Sequence, residues 1–212
     1  ADKNMRFVIE TYLFGTSWSG KDAKLGQEDA VRSAYAKGEK GRWGHGLPDG
    51  GDSQLIFMQS AIDKMDEHCG RAAIIENSSS LMSSKASAGE SQIRRWMLKE
   101  DLIEAIIALP TDFFYNTGIQ TYVWILSKNK RPERSGKVQL INAASFYHKL
   151  RKAVGDKKNE ITPEDRKIIA HLYADFVEGE YCKIYRNEEF MYRECTIMQP
   201  LQRSYAITEE RI

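Results

Sequence analysis

Residues 91–129 read SQIRRWMLKEDLIEAIIALPTDFFYNTGIQTYVWILSKN. Two periodicities meet in this stretch. Ile93, Trp96 and Met97 recur at the spacing of one helical face. From Ile103 the residues are almost continuously apolar up to Leu109, a buried strand closed by Pro110. TDFFYNTGI is a turn-rich connector, and QTYVWILSKN (120–129) is a further strand. A helix feeding a buried strand argues for an α/β protein. A second strand that follows without a helix argues for an antiparallel addition, because a parallel return needs a long crossover.

Working outward, the pattern repeats. Upstream, Phe7-Val8-Ile9 reads as a short buried strand inside MRFVIETYLFGTSWSG (5–20). Residues 16–52 read as one long loop, with the Gly-rich run around Arg42 and Trp43 flexible. A helix capped by Asp52 or Ser53 carries Leu55, Met58, Ile62 and Met65 at helical spacing. RAAIIEN (71–77) is a second apolar strand, followed by a Ser-rich loop. Downstream, KVQLINAASF (137–146) is a fifth strand, expected as an antiparallel addition like the fourth. RKAVGDKKNE (151–160) reads as a basic, flexible link. TPEDRKIIAHLYADF carries Thr162 as cap, Pro163 at the first turn and Asp165 three after the cap, with Ile168, Ile169, Leu172, Tyr173 and Phe176 as its buried face. The remainder, YCKIYRNEEF and MYRECTIMQPLQRSYAIT, is β-prone. The division that follows is a domain over residues 1–148 and a C-terminal extension over 149–212, with a helix at 163–177 and a β-prone tail.

The 212 residues hold 31 Lys and Arg against 30 Asp and Glu, so any nucleic-acid footprint has to be local. Cys69, Cys182 and Cys195 form no C-x-x-C pair, which signals neither a zinc site nor a disulfide framework and fits a reducing cytoplasm. The four histidines show no metal spacing, so no metal is expected. No apolar run is long enough to span a bilayer.

Candidate sites sit at strand ends. Tyr12 and Phe14 leave the first strand, where open α/β sheets place ligands. Position alone leaves two readings: a stacking surface for a flat ligand, or a cap on the core beside Trp18. Asn77 ends the second strand, either as a hydrogen-bonding group at the rim or as a turn initiator. Glu10 and Glu76 end adjacent strands and would suit an acid/base pair, but no nucleophile accompanies them. Two basic clusters stand out: Lys128, Lys130, Arg131, Arg134 and Lys137, then Lys149, Arg151, Lys152, Lys157 and Lys158. Charge runs in turns are ordinarily solvated surface.

The segments FVIETYLFGTSW, QLIFMQSAIDKM, GRAAIIEN, IRRWMLKEDLIEAIIALPTDFFYNTGIQTYVWILSKNK, RSGKVQLINAASF and KIYRNEEFMYRECTIMQPLQ together resemble the modification subunit of type I restriction-modification systems. That family comprises adenine-specific N6 DNA methyltransferases. The resemblance implies a Rossmann-like methyltransferase half-sheet, mixed with an antiparallel strand near one edge, plus a small α+β C-terminal extension. It implies methyl transfer from S-adenosylmethionine to a flipped adenine. DNA, a specificity subunit, a restriction subunit and a second methylase subunit are the implied partners, and the cytoplasm the implied location.

By the same resemblance, the family's cofactor loop and acidic residue precede the strand that opens this chain, so no cofactor-binding residue is expected here. The family pattern N-P-P-[FY] falls on Thr11, Tyr12, Leu13 and Phe14, followed by Gly15. Phe14 and Gly15 match, and together with Asn77 they are the expected substrate-binding residues. Thr11 replaces the Asn, and neither proline is present. The chain by itself is therefore expected to be inactive, and its first strand to present an exposed apolar edge. The alternatives are a catalytically degenerate relative serving as a DNA-binding or assembly module, and an α/β binding domain with its ligand near Phe14 and Asn77.

Overall fold

The computed structural model describes residues 4–11, 14–24, 26–82 and 85–200. In chain order the elements are β1 (Phe7–Thr11), α1 (Gln27–Tyr35), α2 (Gln54–Lys64), β2 (Arg71–Asn77), α3 (Gly89–Lys99), β3 (Ile103–Ala108), β4 (Thr121–Ser127), β5 (Lys137–Asn142), β6 (His148–Val154), β7 (Lys157–Glu160), α4 (Pro163–Asp175) and β8 (Cys182–Arg186). A six-stranded mixed sheet runs β1-β2-β4-β3-β5-β8, and β6 and β7 form a separate hairpin.

β1 pairs parallel to β2, and β3 parallel to β5. β4 lies between β2 and β3 and is antiparallel to both. It is thus interior to the sheet rather than near an edge. The fifth strand differs from expectation. The short connection after β4 does reverse the chain, but β4 is itself reversed, so β5 regains the direction of β3. It then pairs parallel, on the side of β3 away from β4. β8, from the segment after residue 148, forms the far edge of this sheet through antiparallel pairing with β5.

Alternation along the strands sends side chains to two layers. Val8, Ile74, Trp124 and Leu126 are buried with Met58 and Ile62 of α2 and Ile93 and Met97 of α3. On the other face Ile107, Ile141 and Cys182 are buried, packed by Ile169, Leu172 and Tyr173 of α4.

Thr162 and Asp165 close a reciprocal capping box at the start of α4. The helix ends at Asp175, two residues earlier than expected, because Phe176 takes a left-handed conformation with φ of 50°. Ile168, expected on its buried face, is exposed.

The stretch 16–52 is more ordered than its composition suggests. It contains α1 and docks on α2 and α3. Trp43 donates its indole N–H to Ser60 Oγ at 2.8 Å, Gln59 donates to Gly46 O at 3.1 Å, and His45 stacks on Trp96 at 3.6 Å. Gly46 is a site of close approach: a Cβ there would lie 2.8 Å from Gly89 O. Residues 151–160 are likewise no loose link but most of the β6–β7 hairpin, turning at Gly155 with φ of 61°. The tail departs the other way. Residues 191–200 form no strand, and the β-prone residues from 201 lie outside the described ones.

Candidate functional site

β1, β2, β3 and β5 share one direction, so their carboxyl ends and the amino end of β4 open on one rim. Thr11 ends β1 there and is exposed, and Phe14 follows half-buried. Gly15 adopts φ of 71° with open space where a Cβ would stand. That left-handed conformation favours glycine. Tyr12 and Leu13 lie outside the described residues.

Asn77 ends β2 on the same rim, directly opposite Thr121. Its side-chain oxygen accepts from Ser79 N at 2.7 Å and from Ser79 Oγ at 2.6 Å, which starts the turn at Ser78–Ser80. Its backbone N–H donates to Gln54 Oε1 at 2.7 Å. Gln54 Nε2 in turn reaches both carboxylate oxygens of Asp52, at 3.0 and 2.9 Å, and Ser79 hydrogen-bonds Asp52. Asp52, Gln54, Asn77 and Ser79 thus tie the start of α2 to the end of β2. The amide nitrogen of Asn77 has no partner among the described residues.

The sequence showed Asp52 only as a cap. A polar residue at 54, buried at the first turn of an otherwise apolar helix, was the signal that could have exposed the knot. Ser53, the other cap candidate, instead donates its hydroxyl to Thr16 O at 2.7 Å. That bond anchors the loop that follows Phe14.

Glu10 and Glu76 do not form a carboxylate pair. Glu10 turns to Lys64 at 3.9 Å. Glu76 is fully buried, and neither of its oxygens has a hydrogen-bond partner among the described residues. Burial, then the nearby Asp52 carboxylate, hold its pKa well above the ordinary carboxylate range. Thr121 Oγ1 and Trp124 Nε1 are buried without partners as well.

At the opposite edge of the sheet two members of the first basic cluster, Lys130 and Arg134, are structural. Lys130 is buried against Asp101 at 2.5 Å, and Arg134 against Glu104 at 3.5 Å. Glu104 also meets Arg71 at 2.7 Å and accepts from Tyr173 at 2.6 Å. This network fastens α4 to the sheet. The sequence missed it, although an acid at position 104 inside an apolar strand marks a buried charge that needs partners.

A concavity of about 1770 Å³ lies between α3, β5, β8 and residues 190–195, and reaches this rim at Ala108, Tyr122 and Asn142. Among the described residues no group of His, Cys, Asp and Glu could hold a metal ion, and no helix is long and apolar enough to cross a membrane.

Comparison with known proteins decides what kind of sheet this is. The model of the N-6 DNA methylase family matches residues 1–207. The chain belongs to that family. It is 36% identical over 147 residues to the type I restriction enzyme MjaVIII methylase subunit of Methanocaldococcus jannaschii, covering 68% of this chain and 24% of that protein. It is 34% identical over 102 residues to the type I restriction enzyme HindI methylase subunit of Haemophilus influenzae, covering 48% and 22%. This N-6 DNA methylase chain therefore spans about a quarter of the length of the curated relatives it matches. The solved type I restriction-modification methyltransferase subunit from Streptococcus thermophilus superposes with a TM-score of 0.72, at 22% identity, over 88% of this chain and 35% of that one. A likeness at that identity speaks to the fold, a mixed α/β methyltransferase-like sheet.

Proposed function

We propose that this chain is the base-facing part of a site-specific adenine-N6 DNA methyltransferase subunit of a type I restriction-modification system. It works in the cytoplasm with a specificity subunit, a restriction subunit and a second methylase subunit. The observation that carries the reading is the lip Thr11–Gly15. In a member of the N-6 DNA methylase family, Thr11 ends β1 and Phe14 and Gly15 follow it, at the rim where β2 ends in Asn77.

An enzyme acting on a base inside a duplex takes it out of the stack and holds it between aromatic and polar groups. Phe14 supplies the aromatic face. Asn77 supplies an amide N–H on the same rim, its oxygen held by Ser79. Thr11 supplies one hydroxyl that can accept from the adenine amino group. S-adenosylmethionine is the methyl donor implied by the family. The described residues offer it no glycine-rich turn from a strand into a helix, so no residue here is assigned to it.

A second reading rests on Thr11 itself. Where the family pattern has a carboxamide, this chain has a hydroxyl, which favours a degenerate subunit that grips DNA without methylating it. One assay separates the two. The full-length subunit, assembled with its specificity subunit, is incubated with target DNA, and N6-methyladenine is measured by mass spectrometry. Methylation by the parent, cut roughly 10- to 100-fold by Phe14→Ala through lost stacking, supports the enzyme reading. No methylation by the parent, with activity gained in Thr11→Asn, supports the degenerate reading. A parent activity that Phe14→Ala leaves unchanged contradicts the role given to the lip.

A further inference from the structure

The two basic clusters part company in the structure. Lys130 and Arg134 are buried in ion pairs at the edge opposite the rim. The β6–β7 hairpin is at the rim. It docks on the connection between β3 and β4, which crosses that edge: Asn159 Nδ2 donates to Thr111 O at 2.8 Å, Lys158 N to Asp112 O at 2.8 Å, and Asp156 N to Tyr115 O at 2.9 Å. Residues 148–160 hold five Lys and Arg against two acids, in a chain whose net charge is +1.

Within the hairpin the charges differ in their partners. Lys158 pairs with Asp112 at 3.1 Å. Lys157 lies 5.0 Å from the centroid of the Tyr115 ring, itself exposed at the rim. Lys149, Arg151 and Lys152 are exposed and have no ion pair among the described residues. Unpaired cations held on a docked hairpin, rather than on a mobile link, lie ready for a fixed row of anions.

From these observations we infer that the β6–β7 hairpin is a phosphate clamp for duplex DNA: Lys149, Arg151 and Lys152 lie on the backbone beside the adenine held at Phe14. The inference rests on the proposed function and adds to it a positioning element that reads no sequence. The scale fits. Three strand spacings separate β1 from β3 along the rim, about 14 Å in all. The major groove is about 12 Å wide, so a base drawn out at β1 leaves phosphates within reach of a hairpin seated above β3.

The test measures DNA affinity of the full-length assembled complex against salt, for target and non-target duplexes. Lys149→Ala, Arg151→Ala and Lys152→Ala are combined in one variant. Each lost phosphate contact removes about 0.9 from the slope of log affinity against log salt. The triple variant should have a slope shallower by about 2 to 3, equally on both duplexes, with an unchanged melting temperature. Between 50 and 200 mM salt it should lose roughly 40-fold less affinity than the parent. A charge-conserving variant, Lys149→Arg with Lys152→Arg, should keep the parent slope. A folded triple variant with the parent slope overturns the inference and leaves the proposed function standing. Loss of a partner subunit, with the DNA slope of the remainder unchanged, makes the hairpin a protein-docking element and also overturns it. A parent complex that binds no DNA removes both readings together.

Discussion

Glu76 shows how far a single residue departs from what its type prefers. A carboxyl with no hydrogen-bond partner among the described residues, fully buried beside the rim, is costly once ionised. Its folded pKa is raised, by burial first and Asp52 second, whereas the unfolded chain ionises near the ordinary value. Above that ordinary value the unfolded state holds fewer protons than the folded one, so stability falls as pH rises. One such group contributes a slope of about 1.4 kcal/mol per pH unit between its unfolded and folded pKa values. Glu76→Gln removes that dependence. Thermal melts of parent and variant should converge near pH 4.5 and separate as pH rises above it, the variant being the more stable. Equal pH dependence in the two proteins would contradict the neutral buried acid. The sequence placed Glu76 near a strand end and offered Glu10 as a partner only to set the pair aside for want of a nucleophile. Strand register alone does not show that Lys64 lies close enough to hold Glu10.

At the scale of elements, the helices and apolar strands were legible because period and burial agree. Ile93 and Met97 are fully buried, as are Leu55, Met58, Ile62 and Met65. The Gly-rich stretch before α2 and the 151–160 segment were not legible, because both are ordered by contacts distant in sequence. Composition reports local chain freedom and is blind to such docking. Gly89 makes the point. A Cβ there would lie 1.6 Å from Leu47 O, so the absent side chain is what lets the 41–47 segment seat on α3. Gly89→Ala should cost about 3 kcal/mol through backbone displacement, although alanine is the better helix former. Denaturant unfolding measures this directly. A neutral or stabilising effect would show that the seat is loose.

Across the whole molecule, the α/β class was readable, whereas the strands of the β6–β7 hairpin and the placement of β4 between β2 and β3 were not. Strand order depends on which edges meet, and nothing local encodes it. The exposed apolar edge expected for the first strand matches what β1 presents: among the described residues it pairs only with β2, and Phe7 and Ile9 are 63% and 83% exposed. Burying both would contribute about 1.5–3 kcal/mol each. In the full-length subunit, amides of Phe7–Ile9 on the side away from β2 should exchange slowly, since an open apolar edge is a liability that proteins cover. Fast exchange there would mean that the edge stays open. The account as a whole depends on a base being held at the end of β1, and photo-crosslinking reads that contact without requiring catalysis. A duplex carrying 5-iodouracil in place of the target adenine is irradiated with the full-length assembled complex, and the cross-linked peptide is mapped. The account predicts a cross-link within residues 11–15, centred on Phe14 and lost in Phe14→Ala. A cross-link that maps to another part of the subunit, and persists in that variant, would contradict it.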